Sequence, residues 1–376
     1  MGIFTGKSKS KAKLTDLTPE RLAAVDELAR RVGPLPASFV IAEDESLTLV
    51  KFLVARKWNI RAAEEMLRKT LEWRQRVGVD ELKKRVKRER LELLRKAMPS
   101  TPLLCYSREG CPVWLTRYGK VDHDIIKKFT PEEVVEMDSV LRNEFLAQVV
   151  YSEASKRSGQ AVDQEIALMD VKGLLMGAQK FVPFFKAVNA CGQDNYPERA
   201  SRIFVLNAPF IFAALWGMVK HMVDPRTQKK IKILSAGQEQ LDVLKEIINE
   251  EDIPDFLGGP RTGCVSTAED PNGPFKWLDE WIEGECITGE FVPPVPVAGQ
   301  FSRSGSIGRE RATSSGSAAD KTAAAASAVA AVEAEAIANG VDPAELSRAI
   351  ASHRRSGSWG GGPRGPGRGG ASLQNP

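Results

Sequence analysis

The chain has 376 residues, 42% apolar and 27% charged, enough to bury one or two ordinary cores and too apolar for a wholly disordered protein. No apolar run approaches the ~18–20 residues of a bilayer span, and the start is basic and polar without an apolar signal region, so neither a membrane-spanning nor a secreted protein is expected. The net charge of +4 hides an asymmetry: residues 1–96 carry 23 Lys/Arg against 14 Asp/Glu, residues 97–300 carry 21 against 29, and residues 301–376 carry 9 against 6.

Residues 1–16 form a basic flexible arm, with Lys7, Lys9, Lys11 and Lys13 alternating with small residues. A basic start ahead of an acidic body suits an anionic surface, although solvated helix faces are the ordinary account of much of this charge. The run Gly2-Ile3-Phe4-Thr5-Gly6-Lys7-Ser8 imitates a phosphate-binding loop, but it has three residues between its glycines where four are needed, and no strand precedes it. It also fails the myristoylation pattern, because Gly6 stands where Ser or Thr is wanted.

Residues 17–96 read as a helical N-terminal lobe. Thr18-Pro19-Glu20 is a helix start, Asp44-Glu45-Ser46 opens a second helix, and Trp58-Asn59-Ile60 interrupts the pattern. Ala63, Met66, Leu67, Thr70 and Leu71 then make one buried stripe.

Over 97–260 strand candidates at 112–118, 165–171, 202–206 and 230–234 alternate with helical stretches near 131–156, 177–191, 210–222 and 238–249. This alternation predicts an α/β fold with a mainly parallel sheet. Five scattered cysteines, Cys105, Cys111, Cys191, Cys264 and Cys286, fit a reducing compartment, hence the cytoplasm, and no disulfide framework. With only His123, His221 and His353 and no CxxC pair, zinc or histidine chemistry has little material. Asp122-His123-Asp124 reads as a polar turn, since neighbours in a chain point in different directions. Neither GxSxG nor HExxH occurs, and no enzyme and no cofactor are expected.

Two stretches are physically odd. Between Pro209 and Lys220 the chain is apolar on every side, too short to cross a bilayer, and as a helix has no solvent face. It is either a helix buried in the domain or a cover over a lipid cavity, with Phe210, Phe212, Leu215, Trp216 and Met218 available to enter a membrane. In the strand that follows, Lys230 and Lys232 are expected on one face and Ile231 and Ile233 on the other, and a lysine under a covered sheet requires an anionic partner. Residues 261–300 read as an extension packing on the domain, and residues 301–376 as a low-complexity, largely disordered tail. Within that tail 322–338 can form an Ala-rich helix and Asp342-Pro343-Ala344-Glu345 a helix start.

Several spaced motifs together resemble the CRAL-TRIO lipid-binding family, and are most similar to its phosphatidylinositol/phosphatidylcholine transfer proteins. They are Leu53-Val54-Ala55-Arg56-Lys57-Trp58, Asn195-Tyr196-Pro197-Glu198-Arg199, Phe204-Val205-Leu206-Asn207-Ala208-Pro209, Asp224-Pro225-Arg226-Thr227-Gln228-Lys229-Lys230-Ile231 and Pro254-Asp255-Phe256-Leu257-Gly258-Gly259. The resemblance implies a helical lobe on an α/β lobe whose sheet floors an apolar pocket for one phospholipid, with 210–223 as its gate. It also implies that Glu198, Thr227, Lys230, Arg56 and Lys57 meet the inositol phosphate. Those residue types suit that role, because lysine and threonine donate to a phosphodiester and a carboxylate accepts from inositol hydroxyls. Glu198 and Lys230 are expected to pair in the empty state. Glu165, Ala167 and Trp114 depart from the hydroxyl-bearing positions of phosphatidylcholine-binding members, so the second ligand is expected to be apolar and other than phosphatidylcholine.

The resemblance implies a lipid exchanger that touches anionic membranes transiently, peripheral on Golgi, endosomal or plasma membranes. Its implied role is to present phosphatidylinositol to lipid kinases in support of membrane traffic, without binding nucleic acid. Two alternatives stand beside it. One is an adaptor acting through its tail, where Ser302, Ser304, Ser306, Ser356 and Ser358 lie near arginines. The other is a carrier of a sterol, retinoid or tocopherol.

Overall fold

The computed structural model describes residues 17–263 and 275–284, apart from 175–177, 210–211, 213–215 and 218–219. The basic arm over 1–16, the tail with its two expected helical segments, and most of 261–300 lie outside these residues.

Pro19 sets the first turn of α1 (Pro19–Val32), Glu20 lies at its positive end, and Gly33 at φ 78° stops it. Thr18 holds the cap position, but its side chain bonds no backbone N–H. Asp44 caps α2 (Glu45–Ala55) by accepting from the Ser46 N–H at 2.9 Å. Lys57 and Trp58 then both adopt positive φ, 54° and 65°, which turns the chain into α3 (Ile60–Val77). The buried side of α3 carries Ala63, Met66, Leu67 and Thr70 of the expected stripe, prolonged to Arg74, while Leu71 is only partly buried. It closes on Leu28, Phe52 and Leu53 of the preceding helices. α4 (Arg88–Ala97) then leads into the sheet.

Five strands follow in spatial order: β1 (Ser100–Tyr106), β2 (Pro112–Thr116), β3 (Glu165–Asp170), β4 (Ala200–Leu206) and β5 (Ile231–Ile233). β2 to β5 are parallel, as expected, and β1 joins β2 antiparallel. Sequence patterning missed β1 because Pro102 interrupts its apolar run and a register shift falls between Thr101 and Cys105. It also made the last strand too long. β5 begins at Ile231, so Lys230 precedes it and the expected common face of Lys230 and Lys232 does not form. Lys232 instead stands beside Phe204 in register, on the face opposite Ile231 and Ile233.

The two-residue alternation of the strands sorts their side chains between two layers. Ile166, Leu168, Phe204 and Leu206 pack against Leu244 and Ile247 of α7 (Gln238–Ile247). Trp114, Ala167, Ile203 and Val205 face the other way. That second face is overhung by α6 (Ala178–Asn195) and by α5, an unbroken helical run over 131–158 in which π-turns at Val135–Val140 and Leu146–Val150 interrupt the α-turns. α8 (Lys276–Glu283) buries Leu278 and Trp281 against this layer and is anchored by an Arg95–Asp279 ion pair at 2.5 Å.

Candidate functional site

The second face of the sheet floors a cavity. Met169, Val205 and Ile231 of the sheet, Phe181 and Phe185 of α6, and Phe212 bound an apolar chamber of about 140 Å³. Through Tyr118, Ile203 and Thr227 it adjoins a polar chamber of about 390 Å³. Of the expected cover residues, Phe212 is buried, Trp216 is partly buried, and both line the apolar chamber. Phe210, Leu215 and Met218 lie outside the described residues.

On the β4–β5 side of the polar chamber stands Glu198, in a left-handed backbone conformation at φ 57°. Such strain, of order 1–3 kcal/mol, persists where surroundings dictate it. Here Lys51 Nζ at 3.2 Å and Gln164 Nε2 at 3.1 Å both donate to the Glu198 carbonyl. Lys51 is buried, paired with Asp163 at 2.6 Å, and burial pulls its ammonium below the usual lysine range. The Glu198 carboxylate receives Lys230 Nζ at 2.9 Å and Arg226 Nη1 at 3.4 Å. The expected Glu198–Lys230 pair therefore forms. Lys230 also donates to the Ala200 carbonyl at 2.9 Å, which fixes its ammonium at the floor.

Arg226 is the member that sequence reasoning missed. Its guanidinium donates to the Val54 and Ala55 carbonyls, each at 2.5 Å, and so ties the segment after the cover to the C-terminal end of α2. The signal lies in the Asp224–Ile231 motif itself, where Arg226 stands immediately before Thr227. Thr227 lines both chambers and Arg56 lines the polar one. Lys57 is exposed and borders neither, because its positive φ carries the chain away from the cavity. The fold thus brings together Glu198, Thr227, Lys230 and Arg56, and leaves Lys57 outside.

On the β2–β3 side the residues that depart from the choline-binding pattern form a bonded group. Buried Glu165 accepts from the Tyr151 hydroxyl at 3.0 Å, Trp114 Nε1 at 3.2 Å and Arg142 Nη1 at 3.3 Å. The Arg142 guanidinium lies over the Trp114 ring, 4.2 Å from its centroid. Elsewhere, Asp122 caps a short helix by accepting from the Asp124 and Ile125 N–H groups, the polar turn expected there. Among the described residues no helix is long and apolar enough to cross a membrane.

Helices laid over one face of a mainly parallel sheet, around a cavity apolar in one chamber and lined by side chains of both charges in the next, define an α/β protein with an amphiphilic pocket. Residues 100–259 match the CRAL/TRIO domain. The SEC14 cytosolic factor of Eremothecium gossypii is 30% identical over 255 residues, 68% of this chain and 80% of that protein. The Sec14 cytosolic factor of Schizosaccharomyces pombe is 29% identical over 243 residues, 63% of this chain and 83% of that protein. The chain belongs to the CRAL-TRIO family. It is also 29% identical over 300 residues to the phosphatidylinositol/phosphatidylcholine transfer protein SFH12 of Arabidopsis thaliana, matching 72% of this chain and 54% of that longer protein. The crystal structure of Sfh5 has the same fold, with a TM-score of 0.50 at 14% identity, covering 71% of this chain and 99% of that one.

Proposed function

We propose that the protein is a phosphatidylinositol transfer protein that holds one phospholipid in its cavity, exchanges it at membranes and presents phosphatidylinositol to lipid-modifying enzymes. The observation that carries the reading is one carboxylate, Glu198, held between Lys230 and Arg226 beside an apolar chamber. A phosphodiester supplies the anion that Lys230 and Arg226 need, with Thr227 and Arg56 on the same wall. Glu198, released from its cations, is then an acceptor for inositol hydroxyls. The acyl chains enter the apolar chamber, where each buried CH₂ gains ~0.8 kcal/mol, much as it does in a bilayer. Exchange is therefore close to balanced, and the protein acts on its barrier without covalent chemistry. Basic arm and cover residues meet the anionic membrane, on Golgi, endosomal or plasma membranes.

Transfer of labelled phosphatidylinositol between two vesicle populations tests this. Wild type is expected to transfer it, and Glu198→Ala combined with Lys230→Ala to lose transfer while remaining folded. Undiminished transfer by the double variant, or none by folded wild type, defeats the reading.

A further inference from the structure

Three elements bond the turn that carries Glu198. The Glu198 carbonyl accepts from Lys51 of α2 and from Gln164 just before β3, and the Arg199 carbonyl accepts from the Glu165 N–H at 2.9 Å. Arg199 in turn donates to the Asn143 carbonyl of α5 at 2.7 Å. Among these partners Lys51 alone comes from the helical lobe, 147 residues earlier in the chain, and alone brings a charge to the Glu198 carbonyl.

That charge is expensive where it stands. Lys51 is 4% exposed, burial works against its ammonium, and only Asp163, 2.6 Å away, offsets it with an opposite charge. For closing the interface between the lobes, two apolar side chains of similar volume would serve as well or better. They could not donate to the Glu198 carbonyl. The bond falls on a residue held at φ 57°, a conformation costly for any side chain with a Cβ, and a backbone freed to relax would aim its carboxylate elsewhere. As held, that carboxylate meets Lys230 at 2.9 Å and Arg226 at 3.4 Å. One turn further along α2, the Val54 and Ala55 carbonyls receive Arg226 itself. The same helix therefore fixes the acid through its backbone and one of the acid's cations through its guanidinium.

We propose that Lys51 is a positioning residue for head-group recognition: by its bond to the Glu198 carbonyl it keeps the Glu198 carboxylate where an inositol head group meets it, and α2 is the strut that the helical lobe lends to the site. The inference deepens the phosphatidylinositol reading above and rests on it.

The test measures equilibrium uptake, from vesicles, of phosphatidylinositol carrying a fluorescent acyl chain. Four full-length proteins are compared: wild type, Lys51→Met with Asp163→Leu, Glu198→Ala, and all three substitutions together. The paired replacement strands no charge, so its melting temperature should stay near that of wild type or rise. It is expected to weaken uptake about tenfold, the lower end of what a hydrogen bond from a charged donor is worth. Because Lys51 acts through Glu198, the same pair added to Glu198→Ala should weaken uptake no further, whereas a pair that served only packing would weaken both backgrounds alike. Lys51→Gln with Asp163→Asn, polar and neutral with a shorter donor, should repeat the pattern if the apolar pair fails to fold. Undiminished uptake by a folded paired variant overturns the proposal, as does an equal loss in the Glu198→Ala background. No uptake by folded wild type would instead remove the phosphatidylinositol reading, and this inference with it.

Discussion

Replacing Arg74 by methionine probes how the helical lobe is fixed to the site. Arg74 on α3 donates to both oxygens of Glu144 on α5, at 2.6 and 3.1 Å, and its second amino group reaches Asp80 at 2.7 Å and Ser38 at 3.1 Å. The Arg74 and Glu144 side chains are only 2% and 4% exposed, so water cannot replace a lost partner. Glu144 also accepts from the Tyr196 hydroxyl at 2.7 Å, and Tyr196 opens the turn that presents Glu198. Methionine refills the arginine stem but strands the carboxylate. An uncompensated buried charge costs about 3–5 kcal/mol, or roughly 6–20 °C in Tm. Adding Glu144→Leu removes the stranded charge, and the double variant should recover most of the loss. Urea denaturation of the four proteins gives the coupling between the two sites, expected at about 2 kcal/mol or more. A loss below about 1 kcal/mol for Arg74→Met, or a double variant as unstable as the two singles summed, would refute this account of the junction.

Gly119 sits where a Cβ would lie 2.2 Å from the Lys172 carbonyl oxygen, a backbone atom that cannot swing aside. Gly119→Ala should therefore cost about 2 kcal/mol or more and disturb the neighbouring Tyr118 wall; an unaltered thermal melt would contradict the close approach. Asp138 predicts a pH signature. Its carboxyl is raised above 3.8, so over the window between that value and its folded value the native state holds more protons than the unfolded chain, and stability falls as pH rises. Denaturation midpoints from about pH 4 to 7 should lose that component of the slope in Asp138→Asn, and an identical profile would count against burial as its cause.

Much of the fold was legible because its signals are local. The alternation of Ile166 with Ala167 and of Phe204 with Val205 marks strands covered on two sides, and the α3 stripe follows the helical repeat. β1 was hidden by Pro102, which reads as a break unless one knows that the strand lies at the sheet's margin. At the site, Glu198, Thr227 and Lys230 stood in recognisable motifs, whereas the second bond set of Arg226 depends on carbonyls of Val54 and Ala55, about 170 residues earlier. Adjacency to Arg56 suggested Lys57, and a left-handed turn that no composition reveals sends it to solvent.

The two margins of the sheet bear on the protein's behaviour at high concentration. An unpaired strand margin is a template on which a second copy can continue the ladder, and such contacts begin aggregation. β5 offers only three residues for this, with Lys232 inside it and Lys229 and Lys230 immediately before. β1, at the far margin, lacks an N–H at Pro102 and breaks register nearby. Both margins are thus poor templates for sheet growth between copies.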